Sequence, residues 1–224
     1  IEKRKAGNEI AWQREYLLLV VPDEDQAIHR EWICYYDTLP SRKELDSFGY
    51  PKCVGVRIGV DLAISKNAAA DYTAMVPAII YGVGKDMKIY ILPGIVNRKM
   101  TFPETVETCK VLDKTYHENG STRPMFFIED VAYQRALPQQ LENEGIRNVK
   151  GVKPGNRDKR TRVVLTAHLI KSGKILFPRQ GCEPLISQLV HFGIEKHDDL
   201  ADAFSIVALN TLEHPPQIPI LHFI

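Results

Sequence analysis

The chain has 224 residues, 25% charged and 44% hydrophobic, with a formal net charge of +1 at pH 7. These ordinary values argue against global disorder, and the length suits one large domain, or one domain with an appendage. A near-neutral balance means that a polyanion would be met by local clustering rather than by overall charge.

Residues 1–50 read as an N-terminal extension. Residues 12–21 are a short mixed-amphipathic stretch, Pro22-Asp23-Glu24-Asp25 is a helix start, and residues 27–36 carry apolar side chains able to dock on a core. Pro40-Ser41-Arg42-Lys43 and Gly49-Tyr50-Pro51 then punctuate a linker. From residue 52 the pattern is regular. The runs 54–62, 73–82 and 87–96 are β-rich, and the short turns between them favour antiparallel pairing. Residues 103–119 are spaced as a helix and 124–130 as a buried parallel strand. A helix over 133–144, a strand over 146–152, a basic loop and a helix over 160–172 follow. Residues 173–177 are extended, and helices are expected over 183–192 and 198–212. The predicted fold is α/β: a mixed five-stranded sheet, three antiparallel strands and then parallel ones, with helices on both faces. The expected units are an extension over 1–50, a domain over 51–214 and a tail over 215–224.

The four cysteines (Cys34, Cys53, Cys109, Cys182) form no C-x-x-C pair, which argues against zinc and for free thiols. No apolar run nears the roughly 20 residues that span a bilayer, and Ile1-Glu2-Lys3-Arg4-Lys5 leads into no signal-peptide core. A cytosolic protein is expected, and the start at Ile suggests a piece of a longer one.

Acidic residues stand at three places where they are costly. Asp61 ends the run Val54 to Val60, Glu129 ends Met125-Phe126-Phe127-Ile128, and His197-Asp198-Asp199-Leu200-Ala201-Asp202 opens the last helix. Asp61 alone suits a turn, and Glu129 alone suits a salt bridge at a sheet end. Asp198 suits a helix cap, with Asp199 a first-turn acid. Capping does not explain Asp202, which shares a helix face with Asp199 while Leu200, Ala203, Phe204 and Val207 face the core. Because sites in open α/β sheets form at strand carboxyl ends, Asp61 and Glu129 can meet. Crowded carboxylates need a cation, and an all-oxygen set selects Mg²⁺ or Mn²⁺ over Zn²⁺. The chemistry this predicts is phosphodiester hydrolysis with two ions roughly 3.5–4 Å apart. Asp61, Glu129, Asp199 and Asp202 are the catalytic candidates, and Asp198 joins them as a candidate ligand.

A basic segment supports a polyanionic substrate. Between 147 and 162 there are seven cations (Arg147, Lys150, Lys153, Arg157, Lys159, Arg160, Arg162) and one acid, Asp158. Such a run is usually a solvated loop. Lys159, Arg160 and Arg162, however, oppose the dipole at a helix start, a small cost that phosphate contacts offset. Lys150, Lys153, Arg157, Lys159, Arg160 and Arg162 are the expected DNA contacts.

Asp61-Leu62-Ala63, Asp71-Tyr72-Thr73-Ala74, Phe127-Ile128-Glu129-Asp130 and His197 through Ala203 resemble, in order, the nuclease domain of tailed-phage terminase large subunits, of the ribonuclease H-like superfamily. The resemblance covers about 52–212, and Trp12-Gln13-Arg14-Glu15-Tyr16 resembles the segment joining the family's packaging ATPase to its nuclease. No G-x-x-x-x-G-K-[ST] loop is present, so no ATP hydrolysis is expected of this chain. The resemblance implies Asp61 as the bridging metal ligand, Glu129 as the acid on the fourth strand, and Asp202 with Asp199 or Asp198 as the acids of the last helix. It further implies cutting of concatemeric double-stranded DNA in the host cytoplasm, with the terminase small subunit and portal protein as partners. Three rivals are a Holliday-junction resolvase or transposase on the same fold, an actin- or sugar-kinase-like ATPase half, and a catalytically idle DNA clamp.

Overall fold

A computed structural model describes residues 26–47, 52–62, 72–118, 123–129, 136–153, 159–192 and 198–215. The readings made at 12–25, Asp71, Arg157, His197 and the end of the tail lie outside those residues.

Eight strands and five α-helices are described: β1 (Cys34–Tyr36), β2 (Cys53–Asp61), β3 (Thr73–Tyr81), β4 (Lys88–Ile91), β5 (Val96–Arg98), α1 (Phe102–Glu118), β6 (Met125–Glu129), α2 (Ala136–Asn143), β7 (Val149–Val152), α3 (Lys159–Lys171), β8 (Ile175–Pro178), α4 (Glu183–Val190) and α5 (Asp199–Glu213). The sheet order is β1-β8-β4-β3-β2-β6-β7, with β5 also on β3. β2, β3 and β4 form the expected antiparallel meander. β6 then pairs parallel to β2, and β7 parallel to β6.

The five expected strands run in the order β4-β3-β2-β6-β7 and make up one side of a wider sheet. The run 87–96 divides at Pro93-Gly94, where Gly94 takes φ 92°, and both pieces pair with β3. On the far edge β8 pairs parallel to β4, and β1 parallel to β8. Strands of three or four residues are too short for a period of two to show. Residues 27–36 do reach the core: Ile28 and Ile33 are buried, and Tyr36 donates its hydroxyl to the carbonyl of Ile91.

Two cores flank the sheet. On one face α1 and α2 set Cys109, Leu112, Leu137 and Leu141 against Val56, Ile58 and Val60. On the other, α3, α4 and α5 pack on Ile80, Ile89, Ile91 and Phe177, whose ring stacks on Phe204 at 6.0 Å. Alternation along β2 therefore turns Arg57, Gly59 and Asp61 toward α5. Gly59 makes the approach possible. A Cβ there would stand 2.1 Å from the Ala203 carbonyl oxygen and 2.8 Å from the Val207 nitrogen. Below it, Arg57 donates to the Thr211 carbonyl at 3.2 Å.

Candidate active site

Asp61 and Glu129 are the last residues of neighbouring parallel strands. The pairs Gly59↔Phe127 and Val60↔Ile128 are in register, so the two acids stand side by side at the carboxyl edge. Phe126 and Ile128 enter the core under α1 and α2, which leaves Phe127 and Glu129 on the α5 face with Asp61.

The third group comes from the first turn of α5, where Asp202 is buried at 2% exposure. Asp198 occupies the N-cap position, but its side chain makes no capping hydrogen bond. That corrects the capping expectation. Gln188 of α4 caps the helix instead, its Oε1 accepting from the backbone N–H of Leu200 at 2.8 Å and of Ala201 at 3.3 Å. An orphan donor pair at a helix start needs an acceptor, and a neighbouring helix supplies it. The carboxylate of Asp198 is thus left to face the site.

Two cations from the first turn of α3 reach into the acids. Lys159 Nζ lies 2.6 Å from Asp202 Oδ2 and 3.1 Å from Asp198 Oδ1. The Lys159–Asp202 contact combines a short charge-assisted approach with Coulombic attraction. Arg162 forks: Nη1 donates to Glu129 Oε1 at 2.8 Å and Nη2 to Asp202 Oδ1 at 3.1 Å. Spacing of i and i+3 puts both cations on one helix face. Among the described residues no three Asp, Glu, His or Cys side chains are grouped so as to hold an ion. Lys159 and Arg162 are instead paired with Glu129, Asp198 and Asp202.

Burial, first, and then the charges of Asp202, Glu129 and Asp199 push the Asp61 carboxyl up to about 8, although Lys159 pulls the other way. Burial also raises Asp202, outweighing Lys159 and Arg162. For Lys159 burial opposes the charge, yet Asp202 and Asp198 hold its pKa above the ordinary value. The geometry favours a charged Lys159, and burial accounts for the residual cost at Asp202. Even with both cations charged, the acids remain in excess, and their donors are all oxygen. That set fits a hard divalent ion.

Of the expected DNA contacts, Lys153 and Arg160 are exposed, and Lys150 is partly buried on β7. Arg162 is corrected: it is 8% exposed and bound to Glu129 and Asp202, so it is turned inward. Lys159 is engaged with the acids through a half-exposed side chain. The sequence carried one sign of this, a cation pair i, i+3 against the helix dipole. The sign of Gln188 was a lone amide among Leu185, Ile186, Leu189 and Val190.

An open mixed sheet with acids at two adjacent strand ends and at the start of a packed closing helix defines a ribonuclease H-like domain. The family model described as the terminase RNaseH-like domain matches residues 58–210. The chain belongs to that family.

Solved structures agree on the fold. The large terminase nuclease of thermophilic phage G20c with bound magnesium superposes with a TM-score of 0.55 at 13% identity, over 83% of this chain and 97% of that one. The Mn-soaked terminase nuclease domain of human cytomegalovirus gives 0.54 at 14% identity, over 81% and 93%. No curated protein matches.

Proposed function

We propose that this chain is the metal-dependent DNA endonuclease domain of a viral packaging terminase. It would cut concatemeric double-stranded genome in the host cytoplasm, with the terminase small subunit and portal protein as partners. The observation that carries the reading is the convergence of Asp61, Glu129 and Asp202 at one sheet edge, in a chain of the terminase RNaseH-like family. Magnesium in the phage relative and manganese in the cytomegalovirus one support Mg²⁺ or Mn²⁺, as does the all-oxygen donor set.

Asp61, Glu129 and Asp202 would hold the ions, with Asp199 and Asp198 beside them. When bound, two such ions supply a more acidic attacking water and neutralise charge on the scissile phosphate. The protein supplies position. β2 and β6 fix Asp61 and Glu129 through strand pairing, and Gly59 lets α5 bring Asp202 down onto them. Lys150, Lys153 and Arg160 border the same edge and would meet the phosphate backbone, as would Arg157, which lies outside the described residues.

The test is cleavage of plasmid and linear duplex DNA with Mn²⁺ or Mg²⁺. Activity is expected from the natural chain and lost in Asp61→Asn and Asp202→Asn, with folding retained by circular dichroism. Undiminished cutting by either variant would sink the assignment.

A further inference from the structure

The two cations in the acid cluster differ in kind. The Lys159 side chain is 55% exposed on a flexible stem, so it can swing to solvent and carry its own charge into water. The Arg162 side chain is 9% exposed, and its two outer nitrogens clasp Glu129 Oε1 and Asp202 Oδ1 together. A divalent ion shared by Glu129 and Asp202 would need those carboxylates. A guanidinium does not deprotonate at working pH, so it must be displaced rather than neutralised. Asp61 is placed otherwise. Its neighbours are chiefly like charges, and among the described residues the cation that relieves it is the half-exposed Lys159.

We infer that Arg162 is a resident counter-ion that competes with divalent metal for Glu129 and Asp202, so that the centre loads in two unequal steps. The first ion enters on the Asp61 side. The second enters only as Arg162 gives up its fork. Until then Arg162 keeps the buried Asp202 and the partly buried Glu129 together, which makes it a positioning residue for the metal-free centre. The inference rests on the metal-nuclease reading above.

The test is a Mn²⁺ titration of the metal-free chain near neutral pH, followed by calorimetry and by the electron-spin signal of free Mn²⁺. The natural chain should show a tight step and a weaker one. Arg162→Gln, similar in size and uncharged, should tighten the weaker step by roughly tenfold or more, the scale of a charge-assisted hydrogen bond removed from competition. Arg162→Lys keeps the charge without the fork and should give a smaller gain in the same direction. It carries the test alone if thermal melts show that the glutamine variant does not fold. A second step that is unchanged or weaker in the folded variants would overturn the inference while leaving the metal reading intact, as would two equal steps in the natural chain. A natural chain that binds no Mn²⁺ would overturn both.

Discussion

Asp61 is the residue whose environment is most at odds with its charge. Burial and the neighbouring carboxylates lift it from an ordinary 3.8 to about 8. An acid with a raised folded pKa favours the folded state fully at pH below its unfolded value, and this contribution is lost as pH rises through the folded one. Asp202 shifts the same way. The metal-free domain should therefore lose thermal stability between about pH 4 and pH 8, and added Mg²⁺ should restore it most at the alkaline end, where ligands are already deprotonated. Melts in chelator and in Mg²⁺ across that range check this; a chelator curve that rises toward pH 8 would refute it. Both acids are raised, and it is their counter-ion contacts that separate two variants that should both be inactive. Asp61→Asn removes a disfavoured charge and should raise the metal-free melting temperature near pH 8. Asp202→Asn takes an acid from both Lys159 and Arg162 and should lower it. Each should cut DNA more slowly by more than the roughly 100-fold that outer-shell partners cost.

At the scale of elements, the site depends on how close α5 comes to β2. Ala203 and Val207 sit on the backbone of Gly59 with no room for a methyl group. Gly59→Ala must push α5 away, and overpacking against backbone should cost about 3 kcal/mol or more, read as a lower denaturation midpoint and a loss of metal affinity larger than Asp202 alone would explain. Gln188→Ala leaves two buried N–H groups at the start of α5 without their acceptor and should cost about 1–2 kcal/mol. An unaltered midpoint in that variant would return the cap to Asp198. The strands and helices that carry these contacts were legible from their periods, because Val56, Ile58 and Val60, and likewise Leu200, Ala203, Phe204 and Val207, repeat at the spacing of the face they bury. The acids were legible because polar residues interrupt those patterns. The counter-ions and the amide cap were not, since each depends on a second helix whose placement leaves no periodic mark. β1 escaped for want of length, and β8 was read as extended but not as a strand of this sheet.

Across the whole molecule, a net charge of +1 conceals a segregation of sign. Acids collect at the ends of β2 and β6 and at the start of α5, while cations collect just beyond β7 and at the start of α3. Strand pairing makes this neighbourhood unavoidable, since Glu129 is in register with Val152 and Lys153 follows directly. On the proposed function, a duplex drawn to the cations would be brought to the acids, which would repel it until divalent ions reversed their sign. Binding should thus be weak in chelator and strengthen with Ca²⁺, a hard oxygen-seeking ion of the same charge used here to limit cleavage during the measurement. The surface cations should govern the salt dependence. Converting Lys150, Lys153 and Arg160 to Gln should flatten the plot of log affinity against log salt by about 0.9 for each phosphate that is no longer neutralised. Arg162→Gln should leave that slope alone in chelator, because its charge is turned inward. Fluorescence anisotropy with a labelled duplex over a salt series separates the two groups. An unchanged slope in the triple variant would move the DNA path to another face, and a flattened one for Arg162→Gln would put that guanidinium on the phosphates rather than between the acids.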